Sequence, residues 1–417
     1  MRRACVIGTG AREHAIAHVL SRTAAVVAVP GSDGMAADGI EVSDGSPVDV
    51  EADLYVVGPE QPLVDGLADR LRASGRLVVG PGADGARLEG SKSFMKELLA
   101  DAGVPTARHG TFDDAGRAAE FIGSLGTTIV VKTDGLAAGK GVLVTDDVDK
   151  AIRDATAKLD GTAFGDAGRR VVIEEGLEGD ECTLLVLVDG TSAVALAPSR
   201  DYKRLFDADR GPNTGGMGAV SPAPGVDAGV VDRVMTEAIT PTLAELRRRG
   251  IEYRGVLYAG VMLTPSGPRL LEYNVRFGDP EAQVVLPRLA DDLYDLLVDV
   301  ASGTLQATPR FVREAAVTVV LASPGYPDTP RSGQEISGLA EDGQLVGRPD
   351  GVHVYHAATR REAGRFVTAG GRVLSVTALG ASVSDARARA YDAIREVRFD
   401  GVQVRTDVGA LPAEVLS

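Results

Sequence analysis

The chain has 417 residues, too many for a single hydrophobic core, so two or three domains are expected. Its formal net charge of −15 argues against nucleic acid or an anionic membrane as a partner, because both would be repelled. Cys5 and Cys182 lie in apolar sequence and are expected to be buried thiols, and no apolar run is long enough to span a membrane. The composition predicts a cytoplasmic globular protein and leaves small phosphorylated substrates open.

The first ninety residues alternate between apolar β-branched runs and helical patterns. Strands are predicted at 4–7, 26–29, 54–57 and 77–79, and helices at 13–21 and 63–73. This alternation indicates a parallel sheet covered by helices on both faces.

The turn after the first strand runs from Gly8 to Glu13 and opens a helix. A dinucleotide site needs a third glycine where Glu13 stands, and an acidic residue after the second strand, which is missing; this argues against a dehydrogenase. Gly8, Gly10 and Arg12 could instead hold a phosphate at the helix N-terminus. A turn that serves packing alone explains the same residues equally well.

The most informative segment follows a predicted helix at 91–107 and lies between two β-branched runs, 129–131 and 142–144. Its glycines leave backbone N–H groups free to close on an anion, and its lysines add positive charge. The spacing differs from a phosphate-binding Walker loop, and a strand follows in place of a helix. The segment predicts a nucleotide triphosphate beneath a β-hairpin flap, with a flexible hairpin tip as the weaker alternative. The residues concerned are Lys132, Gly135, Gly139, Lys140 and Gly141.

Acidic residues end a predicted strand at 171–174, about thirty residues beyond the flap. Glu174, followed by Glu175, can accept from an adenine amino group, and the backbone near Leu177 can pair with the ring edge. Glu181 can accept from ribose hydroxyls. Taken alone this is a common acidic strand end, and only its position after the flap favours nucleotide binding.

A second strong signal lies in a predicted strand at 269–273 and the residues after it. Glu272, Asn274 and Arg276 alternate, so they are expected to share one strand face, with Leu271 in the core. Two oxygen ligands and a guanidinium suit magnesium bound to phosphates. A turn from Gly278 through Asp279 to Glu281 then brings further acids back toward the same place. A solvated polar face is the alternative, and it does not explain that turn.

The glycine-rich stretch 211–218 could hold a carboxylate or acyl phosphate oxygens through its backbone N–H groups. The five histidines show no metal-ligand spacing, so no zinc site is expected. Later elements are predicted as a helix at 228–249, a strand at 255–263, a helix at 290–302, a connector at 324–330, strands at 352–357 and 371–378, and a helix at 383–394.

The order of these motifs resembles the ATP-grasp ligases and, from residue 6 to about 408, the phosphoribosylamine–glycine ligase family. The supporting motifs occupy 57–64, 88–92, 132–142, 211–219, 276–281 and 370–374. The resemblance implies an α/β and α+β multidomain ATP-grasp architecture. Its parts would be a doubly wound N-terminal domain (1–90), a catalytic domain with a central antiparallel sheet (91–325) carrying a small hinged lid (about 108–190), and a C-terminal α+β domain (326–417).

The resemblance also implies ATP-dependent ligation of glycine to 5-phosphoribosylamine through glycyl phosphate, giving glycinamide ribonucleotide in purine biosynthesis. ATP and Mg²⁺ or Mn²⁺ would be required, the metal on Glu272 and Asn274. Many ATP-grasp enzymes have another acidic ligand about thirteen residues earlier, but Tyr258-Ala-Gly260 stands there. The partners would be small molecules only, and a monomer is expected.

Roles for individual residues follow from the same resemblance. ATP would be held by Lys92, Lys132, the flap glycines, Lys140 and the acidic strand end. Lys132, Arg276 and Asp279 would act in catalysis. Glycine and phosphoribosylamine would be bound by Gly8, Gly10, Arg12, Asp201, Asn213, Thr214, Gly215, Gly216, Met217, Arg276, Gly278, Asp279 and Glu281.

Two other functions fit parts of the pattern. One is an ATP-grasp relative that carboxylates a purine intermediate or joins other amino acids, against which the 211–219 loop speaks. The other is an ATP-binding regulatory or scaffold protein with an inactive site. Loss of Lys132 or Glu272 would be its signature, and both residues are present.

Overall fold

The computed structural model describes residues 2–137 and 141–410. Its N-terminal sheet has five parallel strands in the order β3-β2-β1-β4-β5, which confirms the doubly wound sheet. The elements are β1 (Arg3–Gly8), α1 (Ala11–Leu20), β2 (Ala25–Pro30), α2 (Asp33–Ala37), β3 (Glu41–Val42), β4 (Leu54–Val57), α3 (Glu60–Val64), α4 (Leu67–Ala73), β5 (Leu77–Val79) and α5 (Ala83–Gly90). The prediction of a single helix at 63–73 was wrong, because the helix is interrupted between α3 and α4 at Gly66, whose φ is +75°.

A small antiparallel sheet with the order β6-β9-β7-β8 follows and is called the lid. Its elements, after α6 (Lys92–Ala102), are β6 (His109–Phe112), α7 (Ala115–Gly123), β7 (Ile129–Thr133), β8 (Val142–Thr145), α8 (Val148–Leu159) and β9 (Val171–Glu175). The lid has its own apolar core, in which α7 and α8 supply Ile122 and Ala155. It therefore packs as a separate small unit.

The central block contains β10 (Asp180–Asp189), β11 (Ala193–Ala195), β12 (Arg200–Asp201), β13 (Arg204–Phe206), β14 (Arg210–Asn213), β15 (Gly218–Ser221), α9 (Ala228–Val234), α10 (Thr240–Arg248), β16 (Arg254–Thr264), β17 (Gly267–Asn274), α11 (Ala282–Val285) and α12 (Leu293–Ser302). A π-helical turn, Met235–Ile239, joins α9 to α10. The central sheet is β11-β10-β16-β17, and its three pairings are antiparallel. Because β10 pairs with β16 along its length, the last part of the range predicted for the lid belongs to the central sheet.

Strand β17 contains a bulge beside its functional residues. Gly260 of β16 pairs with Glu272, and the next residue pairs with Leu270, so Leu271 is left without a partner in the ladder. Leu270 is buried while Leu271 is half-buried, so the expectation that Leu271 faces the core was wrong. Bulges commonly redirect side chains beside active sites, and this one frees the Leu271 carbonyl.

The C-terminal part contains β18 (Ala315–Ala322), β19 (Val352–His356), β20 (Thr359–Glu362), β21 (Arg365–Thr368), β22 (Arg372–Gly380) and α13 (Val383–Ile394). An antiparallel sheet with the order β12-β15-β18-β22-β19 combines three of these strands, β18, β22 and β19, with β12 and β15 of the central block. Strand β18 pairs both with β15 of the central block and with β22, and the boundary at 325/326 stays a prediction. Among the helices described, none is both long and apolar enough to cross a membrane.

Candidate active site

The cleft between the lid and β17 brings together the predicted nucleotide residues. Lys132 on β7 places its Nζ 3.4 Å from the Leu271 carbonyl freed by the bulge, directly beside Glu272. Lys92, at the start of α6, directs its Nζ to the Gly135 carbonyl at 3.3 Å. The lid strand β7, the N-terminus of α6 and the strand β17 therefore converge on one place, from which a triphosphate can be contacted on two sides.

The base of the lid is fixed to α6 through Asp134. Its carboxylate accepts hydrogen bonds from the backbone N–H of Ser93 (2.7 Å) and from the Ser93 hydroxyl (2.8 Å). The Asp134 carbonyl accepts from the Lys92 N–H at 3.1 Å. These contacts set the angle at which the flap meets the cleft, and a negative side chain lies near the helix N-terminus, where it is favourable.

Glycines of the flap serve packing as well as access. A Cβ at Gly141 would lie 2.1 Å from Thr133 Oγ1, and one at Gly135 would lie 2.9 Å from Ala167 Cβ. The Gly135 N–H donates to the Ala167 carbonyl at 3.3 Å, so in this structure it does not face an anion. The predicted contacts of Gly139 and Lys140 fall outside the described residues.

Glu174 is held between two lysines, and its predicted adenine contact stays a prediction. Its carboxylate is 2 % exposed and forms ion pairs with Lys132 (2.9 Å) and Lys96 (3.2 Å). Burial raises its pKa, but the two lysines outweigh burial and hold the pKa below its usual value. Lys96 Nζ also donates to Thr106 Oγ1 at 2.7 Å, and burial lowers the pKa of Lys96 to about 8. Glu174 therefore aims Lys132 from inside the lid.

The other residues predicted to bind the nucleotide lie at the end of β9 and the start of β10. Glu175 accepts from the Arg108 N–H at 2.8 Å, and Leu177 lies in the connection from β9 to β10. Glu181 forms an ion pair with Lys203 at 2.7 Å, and the charge of Lys203 lowers the pKa of Glu181. The adenine and ribose contacts stay predictions.

Lys203 connects the nucleotide side with the metal side. Its Nζ is 2.7 Å from Glu181 Oε2 and 3.9 Å from Glu272 Oε1. Burial lowers its pKa, but the charges of Asp201 and Glu181 outweigh burial and raise it well above the usual value. Burial raises the pKa of Asp201 to about 8, with Lys203 opposing and Glu281 adding to the shift. One lysine thus balances several acids that face the cleft.

Glu272 and Asn274 fit a hard divalent cation. The hydrogen bonds of the Asn274 amide turn its nitrogen to Glu89 Oε1 (3.1 Å) and to the Tyr273 carbonyl (3.3 Å), which leaves its oxygen for a ligand. Glu272 is 35 % exposed. Oxygen-only ligands match Mg²⁺ or Mn²⁺. Since Gly260 pairs with Glu272 and has no side chain, phosphate oxygens and water would complete the coordination.

Arg276 is held by two acids that the sequence did not indicate. Its Nη2 is 2.7 Å from Glu89 Oε1, and its Nε is 3.2 Å from Glu60 Oε2. Glu89 also accepts from the Val275 N–H at 2.8 Å, and burial raises the pKa of Glu89. The same carboxylate therefore orients both Asn274 and Arg276. The guanidinium is fixed beside Asn274, and its phosphoryl contact stays a prediction.

The turn after β17 carries two acids with different surroundings. Asp279 pairs with Arg372 at 2.7 Å and accepts from Gln283 Nε2, also at 2.7 Å. Burial raises its pKa, but Arg372 and Arg12 outweigh burial, so the pKa of Asp279 is lowered and the group stays ionised. Glu281 is 2 % exposed, accepts from Thr183 Oγ1 at 3.2 Å, and has a pKa raised by burial. Gly278 has no room for a side chain, because its Cβ would meet Glu281.

Backbone N–H groups of the glycine-rich loop are used internally. Those of Thr214 and Met217 donate to the Lys203 and Tyr202 carbonyls, each at 2.8 Å. That of Gly215 donates to Tyr326 Oη at 2.9 Å, and that of Gly216 to Thr214 Oγ1 at 3.0 Å. In this structure these four N–H groups are therefore not free for a carboxylate, contrary to the geometry expected. Asn213 ends β14, opposite Arg204.

The helix N-terminus after β1 is also occupied by the protein. Glu13 folds back so that its Oε2 accepts from the Gly10 N–H at 2.7 Å and its Oε1 from Arg12 Nε at 2.6 Å. Gly8 packs against the same side chain, since a Cβ there would lie 2.6 Å from Glu13 Cγ. The residue that replaces a third glycine thus supplies the anion expected from a ligand. Phosphate binding at Gly8, Gly10 and Arg12 stays a prediction.

Sequence reasoning missed Lys203, Lys96, Glu89, Glu60 and Arg372. Lys96 follows Lys92 by four residues on one helix, a spacing that indicates a shared face. Glu89 lies within the quoted 88–92 motif, and Arg372 within the 370–374 motif, so both were in view without a role. Nothing in the sequence around Lys203 signals its partners, which come from β10 and β17.

Four histidines gather away from this cleft. His14, Asp38 and His353 have ligand atoms within 4.8 Å of one another, although their sequence spacing did not suggest it. His14 Nδ1 accepts from the His356 N–H at 2.9 Å, so its proton lies on Nε2 and points to Asp38. The ring that would have to bind a metal is therefore a hydrogen-bond donor, and the cluster serves the contact between α1 and β19.

The lid, the central sheet and the paired lysines and acids between them define an ATP-grasp enzyme, which binds ATP together with a divalent metal ion. Models of three phosphoribosylglycinamide synthetase domains match consecutive parts of the chain: the N domain at 2–89, the ATP-grasp (A) domain at 90–282 and the C domain at 316–411. The chain belongs to the phosphoribosylamine–glycine ligase family.

Individual relatives agree with this assignment. A phosphoribosylamine–glycine ligase of Streptomyces coelicolor is 47 % identical over 424 residues, covering 98 % of this chain and 99 % of the relative. One of Caulobacter vibrioides is 44 % identical over 420 residues, covering 97 % of each. The crystal structure of the Thermotoga maritima enzyme has a TM-score of 0.87 at 33 % identity, covering 97 % and 99 %. A biotin carboxylase domain of Hydrogenobacter thermophilus has a TM-score of 0.71 at 16 % identity, covering 97 % of this chain and 91 % of that chain, and shares the fold.

Proposed function

We propose that this protein joins glycine to 5-phosphoribosylamine, with ATP converted to ADP and phosphate, in the purine-biosynthesis step that gives glycinamide ribonucleotide. The observation that carries the proposal is the convergence of Lys132, Lys92 and the Glu272–Asn274 face on one cleft. We expect Mg²⁺ or Mn²⁺ at that face, and we expect the reaction to take place in the cytoplasm, where buried free thiols such as Cys5 persist.

The reaction needs ATP because a carboxylate oxygen is a very poor leaving group. A glycine carboxylate oxygen attacks the γ-phosphorus, and ADP leaves. The amine nitrogen of phosphoribosylamine then attacks the carbonyl carbon, phosphate leaves with the original carboxylate oxygen, and the nitrogen loses a proton. Glu272 and Asn274 would hold the metal ion, which would supply positive charge to the phosphate oxygens.

The protein's own groups provide the rest of the chemistry. Lys132 and Lys92 hold the triphosphate, and Arg276 faces the transferring phosphoryl from beside Asn274. Asp279 has a lowered pKa, so it is a weak base and is better suited to bind the glycine ammonium group than to remove a proton. Closure of the lid excludes water, which would otherwise hydrolyse the acyl phosphate.

The direct test is formation of ADP by the purified protein with glycine, phosphoribosylamine formed in situ from ribose 5-phosphate and ammonia, ATP and Mg²⁺. ADP formation that requires both other substrates, together with a new glycyl amide product, supports the proposal. ATP hydrolysis that proceeds equally well without glycine or without phosphoribosylamine contradicts the proposal, as does the absence of product when all substrates are supplied. Other amino acids and bicarbonate in place of glycine test the alternative ATP-grasp activities.

A further inference from the structure

Arg372 reaches from the C-terminal sheet into the substrate side of the cleft. It is the first residue of β22, and its Nη2 pairs with Asp279 Oδ2 at 2.7 Å. Its Nη1 donates to the Asp279 carbonyl at 3.1 Å, to the Gly215 carbonyl and, at 3.4 Å, to the Gly216 carbonyl. One guanidinium therefore joins two segments of the central block that have no strand pairing with each other.

The two loop glycines make room for this contact. A Cβ at Gly215 would lie 3.0 Å from the Arg372 guanidinium carbon. Gly216 has a φ of +108°, and a Cβ there would lie 2.4 Å from Pro280 Cδ. The planar guanidinium thus lies against bare backbone, an approach that any side chain would block. Close packing against Arg372 and Pro280 therefore accounts for the glycines at positions 215 and 216.

Tyr326 makes a second contact between the same parts of the molecule. Its hydroxyl accepts the Gly215 N–H at 2.9 Å, while a Cβ at Gly371 would lie 2.5 Å from Tyr326 Cδ2. The residue before Arg372 is therefore a glycine that accommodates the Tyr326 ring. Arg372 therefore binds the carbonyl of Gly215 and Tyr326 binds its N–H, so both backbone polar groups of this residue are held.

On this basis we propose that Arg372 is a positioning residue for the substrates that are joined: it holds Asp279 and the Gly215–Gly216 peptide in one fixed arrangement. The proposal rests on the proposed function. Arg372 is 21 % exposed, and among the described residues the hydrogen bonds of its side chain go to the loop and the turn. Arg372 thereby fixes the groups proposed to bind glycine and phosphoribosylamine, and it does not affect ATP binding by Lys92 and Lys132.

The test compares Arg372→Met and Arg372→Lys with the control Arg365→Met. Arg365 lies on β21 and forms an ion pair with the exposed Glu335, and it takes no part in the proposed contacts with the loop. For Arg372→Met we expect kcat/KM for glycine and phosphoribosylamine to fall about 10²-fold, because small misplacements of reacting groups have effects of this size. The Kd for ATP should stay within about threefold of wild type, since the ATP contacts are untouched.

Arg372→Lys separates charge from geometry. Lysine keeps the positive charge near Asp279 but cannot make the forked contacts to the carboxylate and the carbonyls, so a loss of about tenfold is expected. Asp279→Asn combined with Arg372→Met should lose less than the product of the single effects, because the two side chains act as one unit. The control should match wild type in every parameter.

The outcomes distinguish this inference from the proposed function. A wild-type protein without ligase activity would refute the proposed function itself. An active wild type with unchanged kinetics in Arg372→Met overturns only the role of Arg372. Parallel losses in ATP affinity and glycine affinity also overturn it, since they indicate general unfolding. If Arg372→Met does not fold, the Arg372→Lys kinetics decide by the same criteria.

Discussion

At the scale of single residues, the charged groups of the cleft are paired with one another. Lys132 pairs with Glu174, Lys203 with Glu181, and Arg276 with Glu89. Each pair keeps a cation fixed at the place where phosphate oxygens are expected. Such preorganised charges cost no reorganisation when charge develops in the transition state.

Arg276→Ala should lower turnover far more than it lowers ATP affinity. The side chain stands beside the metal-ligand face, and loss of a comparable charge-stabilising group typically costs ~10²–10³ in rate. Steady-state kcat and the Kd for ATP check this, with Arg276→Lys expected to recover part of the rate. Unchanged turnover in the alanine variant would show that the role is misassigned.

Glu174→Gln tests the buried ion pairs of the lid. Removing this charge leaves Lys96 and Lys132 buried without their counter-ion, so we expect a loss of about 3 kcal/mol in the stability of the lid and its attachment. Urea unfolding followed at the lid measures the change, with the exposed Glu120→Gln as control. Equal stability of the two variants would show that the pairs contribute little.

At the scale of elements, the substrate side depends on how the glycine-rich loop lies against the turn after β17. Gly216 has a φ of +108° and contacts Pro280, whereas Gly225 has a φ of +77° with no atom within 4 Å of a Cβ. The two glycines share a left-handed backbone but differ in what surrounds them. They therefore separate backbone strain from steric contact.

Gly216→Ala should reduce kcat/KM for glycine strongly, while Gly225→Ala should not. Both substitutions strain the backbone by about 1–3 kcal/mol, but only the first also displaces the Asp279–Pro280 turn. Thermal unfolding and kinetics of both variants check this. Equal kinetic losses would mean that the loop does not position the turn.

Elements with strong periodicity were predictable, and contacts between distant elements were not. The strands β1, β2 and β4 and the helix Val383–Ile394 follow from apolar patterns alone, whereas β3 (Glu41–Val42) was not predicted. The Leu271 bulge was not predictable, because it depends on which residues of β16 oppose β17. The alternate placement of Glu272 and Asn274 survived it, since the extra residue lies before both. Lys203 was missed because its partners, Glu181 and Glu272, lie on other elements.

At the scale of the whole molecule, the N-terminal sheet and the C-terminal sheet meet at a histidine cluster. Asp38 Oδ2 lies 3.2 Å from His14 Nε2 and 3.3 Å from both His18 Nδ1 and His353 Nε2. Gln344 donates to the other Asp38 oxygen at 3.2 Å. The cluster joins α1 to β19, and it carries four of the five histidines of the chain.

This contact should weaken in acid. Burial lowers the pKa of His353 to about 4 and that of His356 to about 3, and it also lowers that of His14. These groups bind protons more readily when unfolded, at about 6.5, so their contribution is complete above that pH and is lost as the pH falls toward 4. Burial raises the pKa of Asp38, but its histidine hydrogen bonds outweigh burial and lower it, which adds a further loss below about pH 4.

Thermal unfolding at pH 7.5 and at 5.5 measures this dependence. The Tm of the wild type should be lower at pH 5.5 than at pH 7.5, and the decrease should be smaller for His353→Gln. The decrease for His109→Gln should equal that of the wild type, because His109 lies in the lid outside the cluster. A decline in His353→Gln as steep as in wild type would contradict the assignment.

The most direct test of the account is transfer of isotope from glycine carboxylate to phosphate. Glycine labelled with ¹⁸O in its carboxylate, incubated with the protein, ATP, Mg²⁺ and phosphoribosylamine, should deliver one labelled oxygen to each phosphate released. Release of phosphate without the label would contradict an acyl phosphate formed in this cleft.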